Sequence, residues 1–181
     1  MKNQLWTQTL FEAYNYAGGI IRTIDKRVLT LGTSSYKTTN YGKDCTLDLM
    51  ETVIELIQRK KKILKLKMLI EDTLRNVSVD ISKLMIRRYL DKLTLKELAE
   101  EMGITVNVLR RKLAKAILKC YEYFCKQGYC TPFIEQEYVS EKWLVGIYER
   151  KYQNLKRPKP EDLVVFVPQK SNSSFSVCFA I

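Results

Sequence analysis

The 181-residue sequence predicts a mainly α-helical protein: a helical bundle holding a helix-turn-helix unit, with a short β-hairpin as an option for its last residues. Three observations carry that reading. Apolar residues recur at three- and four-residue intervals over several long stretches. Residues 46–76 contain neither glycine nor proline. Residues 93–119, LTLKELAEEMGITVNVLRRKLAKAILK, place two capped helical patterns around a single glycine.

Taken in order, residues Thr7 to Leu31 gather Leu10, Phe11, Tyr14, Ile20, Ile21, Ile24 and Val28 near one side of a first helix. Gly18-Gly19 weakens its middle, where a kink is expected. The segment GTSSYKTTNYGK, residues 32–43, reads as a polar loop. A long helix from Thr46 to Asn76 follows. Its Leu47, Met50, Ile54, Ile57, Leu64, Met68 and Leu74 recur at near-heptad intervals, so it is expected to pack along the first helix or against a partner. Arg59 to Lys67 carries six cations in nine residues and no acid, which suits either added phosphate contacts or a solvated face. Ser78 or Asp80 then caps a support helix over Ile81–Leu90, with Leu84, Met85, Ile86, Tyr89 and Leu90 turned to the core.

Thr94 is an N-cap whose hydroxyl can accept from the backbone two or three residues on, with Glu97 placed to reach back. Leu95, Leu98, Ala99 and Met102 share a face, and Ala99 is small enough for a close helix crossing. Gly103 ends this helix because it takes positive φ without a Cβ clash. Ile104 plugs the turn. Thr105 caps a second helix whose core face is Leu109, Leu113, Ala116, Ile117 and Cys120. That helix should continue through Tyr121, Tyr123 and Phe124 to near Gly128, and so aromatic an extension should pack on the amino-terminal helices.

Thr131-Pro132 opens a further helix. Ser140 opens another, where Trp143, Leu144, Ile147 and Tyr148 share a face. Regular structure should stop at Lys156-Arg157-Pro158-Lys159-Pro160. The two β-prone runs beyond it, residues 163–167 and 175–181, can pair or stay loose. Four regions result: 1–77, an N-terminal helical region; 78–128, the helix-turn-helix; 129–156, C-terminal helices; and 157–181, a tail.

The core face of the second helix leaves Val106, Asn107, Arg110, Arg111 and Ala114 turned away from its neighbour. In a recognition helix these positions meet base edges in the major groove of double-stranded DNA. Arg110 and Arg111 can bond guanine in bidentate fashion, and Asn107 can pair with adenine. Lys112, Lys115 and Lys119 suit phosphate contacts from the flanks, and Arg87 and Arg88 can brush the DNA backbone. No acid occurs from Thr105 to Lys119, whereas Glu97, Glu100 and Glu101 crowd the preceding helix.

Thr105-Val106-x-x-Leu109-x-x-Lys112-Leu113-x-Lys115-Ala116, preceded by Leu95-x-x-Leu98-Ala99-x-x-Met102-Gly103-Ile104, resembles the carboxy-terminal region of bacterial sigma-70-type factors that reads the −35 promoter element. Small phage and prophage regulators carry similar units. The resemblance covers roughly Ile81 to Cys120. It implies promoter binding and transcription initiation, contact with RNA polymerase, Thr105 as cap of the recognition helix, and Asn107, Arg110 and Arg111 at the DNA. Residues 1–80 lack the aromatic, basic helix with which a full sigma factor melts the −10 element, and about sixty residues follow where such factors usually end.

Composition agrees with an anionic partner: 31 lysines and arginines face 20 acids, a net charge of +11. Met1 to Trp6 lacks the apolar core of a signal peptide, no uncharged apolar run would span a bilayer, and a cytoplasmic protein without a membrane partner is expected. The five cysteines, Cys45, Cys120, Cys125, Cys130 and Cys178, lack a metal-ligand spacing and read as reduced thiols, with no metal and no cofactor. The absence of histidine removes histidine-based catalysis, no glycine-rich phosphate loop occurs, and adjacent acid pairs such as Glu71-Asp72 diverge on a helix; a non-enzyme is expected. Two alternatives stand beside DNA reading. One is a protein–protein module that contacts RNA polymerase or forms a homodimer through the long helix; the other is the DNA-binding subunit of a phage recombination or packaging complex.

Overall fold

A computed structural model describes residues 2–35 and 43–156, which form seven α-helices and no strand. The first two, α1 (Lys2–Ser35) and α2 (Lys43–Asn76), each of 34 residues, make an antiparallel pair. α1 stays helical through Gly18-Gly19, where its neighbours Ala13, Ala17 and Ile24 are buried and hold it in place. It also runs on to Ser35, so the predicted polar loop begins as helix; residues 36–42 and 157–181, with the two β-prone runs, lie outside the described residues.

α2 buries a different face from the one its heptad pattern marks. Leu56, Ile63, Leu66, Leu69 and Ile70 pack inward, while Leu47, Met50, Ile54, Ile57, Leu64 and Met68 face outward and only Leu74 rests against the core. A helix with two apolar stripes offers two choices of inner face, and α1 takes the one in which Leu56, Ile63, Leu66 and Ile70 lie two positions off the heptad. The cationic run on α2 also departs from a bare solvated face. Arg59 grips Glu141 with Nε–Oε1 at 2.9 Å and Nη2–Oε2 at 2.9 Å. Lys60 pairs with Asp25, Lys62 with Glu137 and Lys67 with Glu71. Four of the six cations thus meet carboxylates of their own chain.

The support helix is shorter than its pattern. α3 (Val79–Met85) passes into a π-helical turn over Ile86–Leu90, closed by Asp91 N–H to the Ile86 carbonyl at 3.0 Å and Leu93 N–H to the Arg87 carbonyl at 3.1 Å. Lys92 sits at φ +60 without being glycine. Asn15 of α1 donates to the Tyr89 carbonyl at 2.7 Å and satisfies an acceptor at this irregular end. Then come α4 (Leu95–Glu101), α5 (Val106–Lys126), α6 (Thr131–Tyr138) and α7 (Lys142–Lys156).

One apolar cluster joins residues from all seven helices, and a smaller one (Ala17, Ile24, Leu56, Ile63) fills the α1–α2 pair. The aromatic extension of α5 packs on α1 as expected: Phe124 and Phe11 stack at 6.0 Å, and Tyr89 lies 5.9 Å from Phe11. Trp6 stacks on Tyr148 of α7 at 4.3 Å and donates to Glu135 of α6 at 2.9 Å. Pro132 takes the second position of α6, where its missing N–H costs nothing.

Glu141, 3 % exposed, accepts from both Arg59 and the Trp143 indole (2.7 Å), fastening α2 to the start of α7. Arg59→Met leaves that carboxylate with the indole alone. Because Arg59 is half-exposed and its bond partly screened, the change should cost about 2 kcal/mol in urea unfolding. Burial also pushes the Cys120 thiol up to about 12 and raises the phenols of Tyr89 and Tyr138. These groups stay protonated in the fold at a pH where an unfolded chain ionises. Their contribution is therefore complete below the unfolded-state values, about 8.5 for thiol and 10 for phenol, and is lost as pH rises through them. The urea midpoint should fall on moving from pH about 8 to about 11, and iodoacetamide at the lower pH should spare Cys120 until the chain is unfolded.

Candidate nucleic-acid interface

The turn between α4 and α5 forms by the local chemistry the sequence dictates. The Thr94 hydroxyl accepts from Glu97 N–H at 3.3 Å while the Glu97 carboxylate accepts from Thr94 N–H at 2.7 Å, a complete capping box. Those bonds, with the Thr94 backbone foremost, hold the Glu97 carboxyl below its usual range. At the other end Gly103 takes φ +61, and two bonds close the helix: Gly103 N–H to the Glu100 carbonyl at 3.1 Å and Ile104 N–H to the Ala99 carbonyl at 3.0 Å. No atom crowds the position a Cβ would take at Gly103, so it is the backbone angle alone that favours glycine there. Ile104 is half-buried against the main core. Thr105 caps α5 by accepting from Val108 N–H at 3.4 Å.

α5 buries Leu109, Leu113, Ala116, Ile117, Cys120 and Phe124, the expected stripe and its extension. Asn107, Arg110, Arg111 and Ala114 are exposed. Arg110, Arg111, Lys112 and Lys115 make no ion pair or hydrogen bond with any of the described residues, whereas Lys119 is held by Glu122 at 2.8 Å. Val106 departs from the predicted set. It is half-buried and packed on the main core, since it falls three and seven residues before Leu109 and Leu113 on the same stripe. Thr105 is exposed at the helix start.

The lysines do not all share the arginines' side. Lys112, Lys115 and Lys119 line an open groove of about 1000 Å³ between α3, α4 and α5, whose floor includes Leu84, Leu98, Met102 and Ala116. Lys83 and Arg87 border the same groove, with Asp80 and Glu101 as its acids. Arg87 is not free to reach a backbone elsewhere: it bonds Asp91 at 3.4 Å and Glu101 at 3.2 Å. Arg88 donates to the Leu93 carbonyl at 2.6 Å and lies against the Tyr89 ring. Both arginines therefore brace the turn before α4, a role their adjacency in sequence did not reveal. Lys83 and Arg87, one helical turn apart, are the local sequence mark of this groove.

Among the described residues no cluster of three or more histidine, cysteine or acidic side chains could hold a metal ion, and no helix is long and apolar enough to cross a membrane. Cys120 is buried, and Cys125 and Cys130 are half-buried free thiols. No family model matches the chain, and no curated protein or solved structure is significantly similar to it.

Proposed function

We propose that the protein is a sequence-specific, double-stranded DNA-binding transcription regulator, sigma-70 region-4-like in its reading head, with α5 entering the major groove of promoter DNA. One observation carries the reading: a helix braced by a capping box and a glycine turn presents Arg110, Arg111, Lys112 and Lys115 without an acid among its own first fourteen residues or a bond to the described rest of the chain. Unpaired guanidinium groups on a rigid helix lose little in reaching a base or phosphate, because no internal partner must first be given up. Asn107 and Arg111 read bases in this account, Arg110 reads or clamps, and Lys112 and Lys115 anchor. The resemblance of Thr105–Ala116 to sigma factors supports promoter DNA as the target. A cytoplasmic location belongs to the same proposal.

Selection from a random DNA pool, followed by gel shifts on the recovered site, tests it. Arg111→Ala should cost about 1–3 kcal/mol on that site and relax the base it reads. Lys115→Ala should weaken all sequences alike and flatten the salt dependence by about one counterion. No salt-sensitive binding, or arginine variants that bind as the wild type does, would refute the proposal.

A second reading, contact with RNA polymerase, is favoured by the groove beside α5. Its apolar floor and its rim of five cations against two acids fit a helix with apolar residues flanked by carboxylates. Met102→Glu, which charges the floor, should abolish binding to purified polymerase while leaving gel shifts on bare DNA unchanged; equal binding by both proteins would count against it.

A further inference from the structure

The outward stripe of α2 is the largest feature that DNA reading leaves unused. Leu47, Met50, Ile54, Ile57, Lys61, Leu64 and Met68 alternate at three and four residues, the a and d positions of three heptads. All seven are exposed; Leu47 at 60 %, Met50 at 56 % and Met68 at 59 % show how little of the stripe the described residues cover. The seam runs about 32 Å along the helix at 1.5 Å per residue. An apolar strip of that length is not ordinary monomer surface.

Charge along the stripe says what covers it. Its amino-terminal half is flanked by Asp48, Glu51 and Glu55, its carboxy-terminal half by Lys61 and Lys65, and none of these five makes an ion pair among the described residues. The remaining cations of the run are already committed to Glu141, Asp25, Glu137 and Glu71. We infer that α2 is the interface of an antiparallel homodimer, in which this stripe packs on the same stripe of a second copy.

In that arrangement Met50 of one copy faces Met68 of the other, Ile54 faces Leu64, and Ile57 faces Lys61. Glu51 then lies beside Lys65 of the second copy, twice by symmetry, and each Lys61 enters the half where Glu55 of the other copy stands. A parallel pair would set Lys61 against Lys61 and Lys60 against Lys65, with acids against acids, so charge selects the antiparallel one. The interface is self-complementary and closes as a two-fold dimer. It rests on α2 alone, so its failure and the failure of DNA reading by α5 are separable.

Sedimentation of the full chain over a range of concentrations should show a monomer–dimer equilibrium. Ile54→Asp should give monomers with unchanged circular dichroism. Glu51→Lys, on the helix surface, should weaken the dimer, and adding Lys65→Glu should restore it. Orientation is read by disulfide cross-linking with Cys45, Cys125, Cys130 and Cys178 replaced by serine. Met50→Cys chains should cross-link to Met68→Cys chains when the two are mixed, and neither to itself. A wild type that stays monomeric overturns the proposal. So does self-linking of Met50→Cys, or an Ile54→Asp or Glu51→Lys chain that dimerises like the wild type. An Arg110→Ala, Arg111→Ala chain should dimerise normally whatever its affinity for DNA.

Discussion

The burial of the carboxy-terminal third of α5 is the constraint on which the rest of the molecule depends. Cys120 and Phe124 are fully enclosed, and the Phe124 ring stacks on Phe11 of α1 and, through it, reaches Tyr89 at the end of the support segment. Burying an aromatic side chain contributes about 1.5–3 kcal/mol, against roughly 1 kcal/mol for an N-cap such as Thr105. Packing therefore fixes where α5 lies, and the caps fix where it starts. A helix clamped at one end in this way can leave the opposite face of its first half uncovered without losing its orientation. The Schellman closure at its far end, Gly128 N–H to the Cys125 carbonyl and Tyr129 N–H to the Phe124 carbonyl, turns the chain back so that α6 and α7 can cover α1.

The same net charge is spent differently on two helices. On α2, cations face carboxylates delivered by α1, α6 and the start of α7, and they serve to fasten helices together. On α5, the first half has cations and no acid within its own span, and two of the three acids of α4 engage elsewhere: Glu97 in its capping box and Glu101 with Arg87. Net charge counts both sets alike. Only position relative to acids separates a structural cation from one available to a ligand, and for the run on α2 that position is set by residues up to 82 apart in sequence, as in Arg59 and Glu141.

That difference in range also explains what the sequence made legible. Thr94, Glu97, Gly103, Thr105, Gly128 and Pro132 each act over four or five residues, so their effects could be read directly, and the helix-turn-helix boundaries follow from them. The inner face of α2 could not be read, because two stripes compete on it and α1 decides between them. The π-helical turn left no mark, since its wider bonds join backbone groups and Lys92 takes a left-handed conformation without glycine. Nothing local to Glu141 marks it for burial, which depends on Arg59 and Trp143 arriving together. Val106 looked like a reading residue because sequence spacing alone does not say how far the core stripe extends past the cap.

At 3.6 residues per turn, the exposed face of α5 resolves into a front and two edges. Arg111 falls at the middle of that face, with Asn107, Lys115 and Leu118 within about 40° of it, and Leu118 is 46 % exposed there. Arg110 marks one edge, with Ala114 about 40° inside it, and Lys112 marks the other, about 200° round from Arg110. A cylinder lying in a groove about 12 Å wide meets base edges with its front and the two phosphate walls with its edges. Under the proposed DNA reading, Arg111 and Asn107 are better placed for bases than Arg110, whose long side chain can reach a base or the nearer wall. Ala114, between Arg110 and the front, leaves that side shallow, and Leu118 offers an apolar contact of the kind a thymine methyl accepts. The three lysines divide less evenly: Lys119 is tied to Glu122 and turned to the groove beside α3, which leaves Lys115 as the unpaired lysine nearest the front.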